Sequence, residues 1–213
     1  MFLFFAGAAG VFATRAGPAA PIPLWIAISF AVFGVAYLGG GARLLGKRSD
    51  GRLAGWAFVL HAPFLLYVAM IWHAARGLSR ERPVDRVDDR LVIGRRLLDR
   101  EPQPDVECWL DLTAEFAEPA STRTRPGYRS FPILDAGVPD PNELESVLQE
   151  IGERSVFVHC AQGHGRTGLV AAILLIRRGS AAGLDDALGR LQSVRPRLRL
   201  NARQRQFVHA ESK

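Results

Sequence analysis

Apolar and polar positions divide the chain near residue 80 into two parts with different patterns. In the first part, residues 22–42 and 53–75 form runs of 21 and 23 residues that contain no Asp, Glu, Lys or Arg. A helix of 21 residues rises about 31 Å, which is enough to cross the hydrocarbon core of a bilayer. The pattern therefore predicts a hairpin of two transmembrane helices, and a hairpin of buried helices in a soluble protein is the alternative.

Residues 1–14 are also apolar, but this run is too short to cross a bilayer as a regular helix. It is compatible with an interfacial helix, a third short span or the end of a longer apolar segment. A cleavable signal peptide fits less well, because no basic residue precedes the run and Pro18, Pro21 and Pro23 follow it. We therefore predict a membrane region at 1–82 and a separate soluble domain at 83–213.

From residue 83 onward, short apolar runs alternate with amphipathic segments, which is typical of domains built from strands and helices. The predicted strands lie within 84–98, either as one strand or as a hairpin around Gly94, and at 106–112, 128–134 and 155–160. The predicted helices are 140–151, 168–178, 184–194 and a last helix that Asn201 caps and that ends near residue 209. Residues 118–127 are rich in Pro, Ser, Thr and Arg, and they predict a loop. Strands that alternate with helices predict an α/β fold with a central sheet.

Charge changes this picture in one respect. The chain has 27 Lys and Arg against 21 Asp and Glu, a net charge of +6. Residues 1–82 hold 8 basic and 2 acidic residues, whereas residues 83–213 hold 19 of each. Because the whole basic excess lies in the apolar part, it indicates basic flanks of membrane segments and argues against a nucleic-acid partner. Basic residues follow both apolar runs, so charge does not decide the orientation of the hairpin.

The candidate chemistry lies at residues 158–168, whose sequence is VHCAQGHGRTG. A buried strand ends at Cys160, a five-residue loop with two glycines follows, and Arg166 opens an apolar helix. Such a loop directs several backbone N–H groups into one concavity at a helix N-terminus, which suits an oxyanion of the size of phosphate. The same field favours the thiolate form of a cysteine, and a guanidinium can bind two phosphate oxygens at once. The pattern therefore predicts a thiolate nucleophile that faces a bound phosphate monoester.

This segment resembles the signature of the cysteine-dependent protein tyrosine and dual-specificity phosphatases. Five positions match the signature at its spacing, namely His159, Cys160, Gly163, Arg166 and Thr167. The resemblance covers about residues 85–210 and is to the compact dual-specificity class, here as a membrane-anchored, bacterial-type member. It implies a dual-specificity-phosphatase-like central sheet flanked by helices, after the transmembrane hairpin.

The resemblance also implies a role for each residue of the loop. Cys160 would attack phosphorus and form a phosphocysteine intermediate. His159 would orient the loop and support the thiolate, and the Thr167 hydroxyl would help Cys160 depart when water hydrolyses the intermediate. Phosphate would be bound by Ala161, Gln162, Gly163, His164, Gly165 and Arg166. No metal or other cofactor is implied.

The leaving oxygen needs a proton, which these families supply from an Asp on a separate loop. Asp135 lies 25 positions before Cys160, follows a predicted strand and precedes a Gly/Pro turn, so it is the preferred general acid. Asp140 is the second candidate, although it also fits the N-cap of the helix after Pro141. Asp111 fits better as the end of a strand that bonds to nearby backbone.

The substrate is predicted only as a class, either a phosphorylated protein or a phospholipid headgroup at the membrane. The loop carries His164 but no Lys, which weakens the case for polyphosphorylated inositides. Three arginines, Arg123, Arg125 and Arg129, either flank the pocket or belong to a solvated loop. A non-catalytic phosphate-binding scaffold is the alternative, but a binder would need neither the nucleophile nor the acid.

A cysteine nucleophile also bears on the cellular compartment of the protein and on the roles of its two cysteines. A thiolate survives in a reducing environment, so we expect an integral membrane protein whose catalytic domain faces the cytoplasm. Two cysteines do not suit a disulfide-stapled scaffold. Cys108 fits a buried strand position, with a resolving thiol for Cys160 as the alternative.

Overall fold

The computed structural model describes residues 1–211 and divides them into two compact units. The first unit comprises Met1–Arg48, Arg52–Leu78 and Ala114–Ala117. The second comprises Ser49–Gly51, Ser79–Thr113 and the chain from Glu118 onward. The second unit therefore contains the whole candidate phosphate-binding loop.

The first unit is built from three apolar helices, α1 (Phe2–Arg15), α2 (Pro21–Val35) and α3 (Gly55–Leu78). Length and composition would allow two helical segments of 24 residues, Gly17–Gly40 and Gly55–Leu78, to cross a membrane. Their mean hydropathies are 2.0 and 1.6, and less than half of each is buried within the protein. Both segments have the length and composition that the predicted membrane hairpin requires.

The regular helix within residues 22–42 ends earlier than the apolar pattern predicts. Helix α2 stops at Val35 and continues as an irregular turn over Ala36–Gly40. Gly39 has a φ of 125° and Gly41 a φ of 75°, values that favour glycine and interrupt a helix. The run of three glycines at 39–41 therefore ends the helix before the apolar run ends.

A five-stranded mixed sheet forms the centre of the second unit, in the order β1-β2-β5-β3-β4. Its strands are β1 (Val84–Arg86), β2 (Leu91–Arg95), β3 (Cys108–Thr113), β4 (Tyr128–Ile133) and β5 (Val156–Cys160). Strands β1 and β2 are antiparallel, and all other pairs are parallel. The predicted α/β fold with a central sheet flanked by helices is confirmed.

The helices of the second unit are α4 (Ala120–Arg123), α5 (Pro141–Ile151), α6 (Gly165–Arg177), α7 (Leu184–Val194) and α8 (Ala202–Glu211). Helices α5 to α8 contribute to one core together with alternate residues of the strands. In β5, Val156, Val158 and Cys160 belong to this core, whereas Phe157 belongs to a second cluster with Trp109. Because strand side chains alternate between faces, Cys160 and His159 lie on opposite faces of the sheet.

Three local predictions are corrected by the structure. The hairpin of β1 and β2 turns at residues 87–90, where the Asp88 carboxylate accepts hydrogen bonds from the backbone of Arg90 and Leu91. Gly94 instead lies within β2, where a Cβ would stand 2.4 Å from the carbonyl oxygen of Pro83. The predicted loop 118–127 contains the single turn of α4, and helix α6 begins at Gly165 rather than at residue 168.

Candidate active site

The predicted phosphate-binding loop connects the C-terminal end of β5 to the N-terminus of α6. Within it, the backbone N–H of Gly163 donates to Cys160 Sγ at 3.2 Å, and the cysteine is buried. Gly163 has a φ of 73°, and a Cβ there would lie 2.5 Å from the backbone of Gly94. A glycine is therefore required at position 163, where its N–H is directed at the sulfur.

Arg166 stands at the start of α6 and is almost fully buried, at 2% exposure. Its Nη1 donates to the carbonyl oxygen of Ile133 at 3.1 Å and to that of Leu112 at 3.4 Å. Its Nη2 lies 3.3 Å from Asp135 Oδ1. The ends of β3 and β4 therefore hold the guanidinium, and Asp135 is its carboxylate partner.

Asp135 follows β4 and leaves 73% of its side chain exposed. The next residue, Ala136, has a φ of 57°, which is rare for a residue with a side chain. The Ala136 carbonyl accepts a hydrogen bond from Asn201 Nδ2 at 2.8 Å. The Gly137 carbonyl accepts one from Gln204 Nε2 at 3.1 Å. The start of α8 thus holds the loop that follows β4, here called the Asp135 loop, in place.

Gln204 lies at the site, although the sequence favours a capped surface helix for this segment over a role of Gln204 or Gln206 in positioning water. It is 1% exposed, and a Cβ on Gly165 would stand 3.2 Å from its Oε1. Its side chain therefore lies between the Asp135 loop and the phosphate-binding loop. A signal was available, because Asn201 and Gln204 form a reciprocal cap in which each side chain accepts from the other's backbone N–H.

The other two candidate acids have different partners. Asp140 Oδ1 accepts from the backbone of Asn142 and Glu143, which makes Asp140 the N-cap of α5. Asp111 is fully buried and accepts from Thr113 and from the Tyr128 hydroxyl. Of the three carboxylates, Asp135 is the one that the structure brings to Arg166.

A buried polar cluster surrounds His159 on the sheet face opposite to Cys160. The imidazole stacks on the ring of Phe157, and one of its nitrogens lies within 4.8 Å of carboxylate oxygens of Asp111 and Glu118. These donor types could bind a metal ion, but Glu118 accepts from Arg96 Nε at 2.7 Å and Asp111 accepts the bonds described above. The arrangement is that of a hydrogen-bonded network, and we assign no metal to it.

Thr167 lies in the first turn of α6 and is fully buried. Among residues 1–211, no group lies within hydrogen-bond distance of its Oγ1. A buried hydroxyl without a partner is costly, so its retention is compatible with a partner that forms only during a reaction.

Two other residues of the phosphate-binding loop, Gln162 and His164, form hydrogen bonds with residues outside the loop. Gln162 offers its carbonyl oxygen to Arg195 Nη2 at 2.9 Å, and His164 Nε2 lies 2.8 Å from Glu81 Oε2. Burial lowers the pKa of His164, while the hydrogen bond and the charge of Glu81 raise it. Ala161 is buried at the base of the loop.

The three arginines considered for substrate contact have local partners. Arg123 Nε donates to the Glu118 carbonyl, Arg125 stacks over Trp109, and Arg129 pairs with Glu150. None of these three contacts is to a residue of the phosphate-binding loop. Cys108 is buried and unbonded in β3, and burial raises the pKa of its thiol, so the neutral form is favoured.

Residues 78–208 match the PTP-SAK family, which is described as a Swiss Army Knife protein with a DSP-PTPase phosphatase domain. A relative is the 197R protein of Invertebrate iridescent virus 6, which carries a provisional tyrosine phosphatase name. The two chains are 33% identical over 82 residues, which make up 33% of this chain and 31% of the viral protein. The match thus spans about a third of the length of that curated relative.

Two solved structures resemble the chain in fold. The crystal structure of PTPMT1 in complex with PI(5)P is 16% identical, with a TM-score of 0.50 over 62% of this chain and 95% of PTPMT1. That of human DUSP28 is 18% identical, with a TM-score of 0.50 over 62% of this chain and 94% of DUSP28. At these identities the similarity bears on the fold alone.

Replacing Gly163 with Ala is expected to weaken the binding of orthovanadate, a phosphate-sized oxyanion, by about 10-fold or more. The added Cβ would collide with the backbone of Gly94, and the alanine would have to keep a positive φ that is unfavourable for it. The backbone N–H of residue 163 would therefore move away from Cys160. Calorimetric titration of the purified chain measures the affinity. Gly189→Ala is the matched control, because a Cβ there meets nothing within 4 Å. Equal affinities in all three proteins would contradict the assignment.

Proposed function

The chain belongs to the PTP-SAK family of DSP-PTPase phosphatase domains, and we propose that it is a membrane-anchored enzyme that hydrolyses phosphate monoesters through a phosphocysteine intermediate. The observation that carries this proposal is that Asp135, from the loop after β4, lies beside Arg166 of the loop that begins at Cys160. The sulfur has a backbone N–H donor, and the guanidinium has the carboxylate as a neighbour. A site that only bound phosphate would need neither the thiol nor the exposed carboxylic acid.

In the first step, Cys160 Sγ attacks phosphorus. The S–P bond forms as the P–O bond to the substrate breaks, and Asp135 gives its proton to the departing oxygen. Backbone N–H groups of 161–166 and the Arg166 guanidinium stabilise the charge on the phosphoryl oxygens as it moves. Arg166 is already positioned by strand-end carbonyls, so little reorganisation is needed.

In the second step, water attacks the phosphocysteine. Asp135, now a carboxylate, takes a proton from the water, the P–O bond forms and the S–P bond breaks. The Thr167 hydroxyl donates a hydrogen bond to the departing thiolate, which gives a use to a buried hydroxyl that has no other partner among residues 1–211. The products are inorganic phosphate and the regenerated thiolate.

A phosphoprotein of the protein tyrosine or dual-specificity type is our first choice of substrate. The alternative is a phospholipid headgroup. It is favoured by the two apolar segments of 24 residues and by the phosphoinositide bound in the PTPMT1 structure. A non-catalytic scaffold of the same fold is the third possibility, and one experiment separates all three.

That experiment measures phosphate release by the purified chain in lipid nanodiscs against a phosphopeptide panel and a phospholipid panel, with Cys160→Ser as the blank. We expect release that Cys160→Ser abolishes, and faster turnover of phosphopeptides. Faster turnover of phospholipids would establish the alternative, with the anchor serving substrate delivery. Release indistinguishable from that of Cys160→Ser in both panels would favour the scaffold.

Asp135→Asn is expected to lower kcat by about 10²-fold or more for substrates with a poor leaving group, because the departing oxygen then lacks its proton donor. The loss should be smaller for p-nitrophenyl phosphate, whose leaving group needs little protonation. Steady-state kinetics with both substrates measure the difference. Asp140→Asn is the matched control, since Asn caps a helix as well as Asp does. An equal loss in both variants would remove Asp135 from the mechanism.

We further propose that the catalytic unit faces the cytoplasm, because its nucleophile requires a reducing compartment. A membrane-impermeant maleimide should label Cys160 after the cells are permeabilised and not before. Cys160→Ser identifies the labelled site. Labelling of Cys160 in intact cells would show that the catalytic unit faces the outside, contrary to the proposal.

A further inference from the structure

The segment 79–86, which follows the last apolar helix, contacts the phosphate-binding loop directly. Glu81 Oε2 lies 2.8 Å from Nε2 of His164, and the Glu81 backbone N–H donates to Ser79 Oγ at 3.2 Å. The side chains of Glu81 and His164 are 16% and 28% exposed, so the contact is mostly shielded from water. A simple linker would not place a carboxylate on a residue of the loop.

Arg195 makes a second connection between the same segment and the loop. This arginine is 1% exposed, and its Nη1 donates to the Arg82 carbonyl at 3.0 Å and to Asp85 Oδ2 at 2.7 Å. Its Nη2 donates to the Gln162 carbonyl at 2.9 Å, and Glu81 Oε2 lies 3.8 Å away. A buried guanidinium with several partners is a rigid connector.

The two connections hold the residues on either side of Gly163. Gln162 is held through Arg195, and His164 is held through Glu81. Gly163 is the residue whose N–H reaches Cys160 Sγ. Fixing both neighbours of a glycine restricts the freedom that its lack of a side chain would otherwise allow.

We propose that Glu81 is a positioning residue for the phosphate-binding loop, which it stabilises by binding His164 and by sharing Arg195 with Gln162. The inference rests on the proposed function, because it assigns Glu81 to the binding of the phosphate group. It extends that function to the segment that joins the apolar helices to the catalytic unit. Its chemical consequence is that protonation of His164, a residue of the loop, depends on Glu81.

The electrostatic groups around His164 give the sign of this effect. Burial lowers the pKa of His164, the hydrogen bond and charge of Glu81 raise it, and Arg195 and Arg197 lower it. Asp85 pairs with Arg195 and offsets part of that positive charge. Removing the Glu81 charge should therefore lower the pKa of His164 further. At a given pH below neutrality fewer molecules would carry the imidazolium, and a dianion would bind more weakly.

The first test is a histidine NMR titration of the purified full chain in nanodiscs. Glu81→Gln should lower the pKa of the His164 ring by about half a pH unit or more, and His164→Asn identifies the signal. Asp89→Asn is the matched control, because it removes an exposed carboxylate of the neighbouring turn. An unchanged His164 titration in Glu81→Gln would overturn the proposal.

The second test measures KM and kcat for p-nitrophenyl phosphate and the affinity for orthovanadate at pH 6. We expect Glu81→Gln to raise KM and to weaken orthovanadate binding by about 3- to 10-fold, with a smaller change in kcat. Adding Glu81→Gln to His164→Asn should have a smaller effect than adding it to the parent. A fall in kcat alone, or a loss of the folded state in Glu81→Gln without a shift of His164 in the folded fraction, would indicate a merely structural role.

The two proposals fail in distinguishable ways. A parent protein that binds orthovanadate but releases no phosphate would reject the proposed reaction. The His164 titration and the orthovanadate affinities would still decide the role of Glu81. Normal catalysis with identical orthovanadate affinities in the parent and Glu81→Gln would reject the role of Glu81 alone.

Discussion

A close backbone approach between the phosphate-binding loop and strand β2 fixes the geometry around Cys160. Gly163 meets the backbone of Gly94 without room for a Cβ, and Gly94 in turn leaves no room between its own Cα and the Pro83 carbonyl. The Arg96 backbone N–H also donates to the Cys160 carbonyl at 2.7 Å. Two glycines in contact thus let the loop close over the end of the sheet, which directs an N–H at the sulfur.

The basic side chains of the site each lie beside an acidic partner. Arg166 has Asp135 and two strand-end carbonyls, Arg195 has Asp85, and His164 has Glu81. Burying a guanidinium without partners would be prohibitive, so these pairs are the condition for placing two arginines at less than 3% exposure in one small domain. If phosphate binds as proposed, it meets hydrogen-bond donors that are already oriented, and little binding free energy is spent on reorganising them.

Sequence reasoning reached the parts of this site that lie close together along the chain. The alternation in 155–160 predicted β5, and the spacing from Cys160 to Arg166 predicted a loop at a helix N-terminus. The choice of Asp135 rested on the family resemblance, together with its place after a predicted strand and before a Gly/Pro turn. Glu81 escaped prediction and Gln204 was placed on a capped surface helix, because both reach the loop only through tertiary contacts from about 80 and 40 positions away. The hairpin turn predicted at Gly94 was wrong for a related reason, because a glycine that close packing requires cannot be distinguished in sequence from a glycine in a turn.

The contacts of Glu81 change what the segment after α3 must do. A tether that only joined two units would tolerate insertions, because the entropy cost of a longer flexible connection rises slowly with length. Here Glu81, Arg82 and Pro83 each form a hydrogen bond with a residue outside the segment, namely His164, Arg195 and Arg95, so the segment has little slack. A change of length between Leu78 and Val84 would therefore alter the bonds on Gln162 and His164 as well as the tether. The residues that follow the apolar helices thus also fix Gln162 and His164, the two neighbours of Gly163.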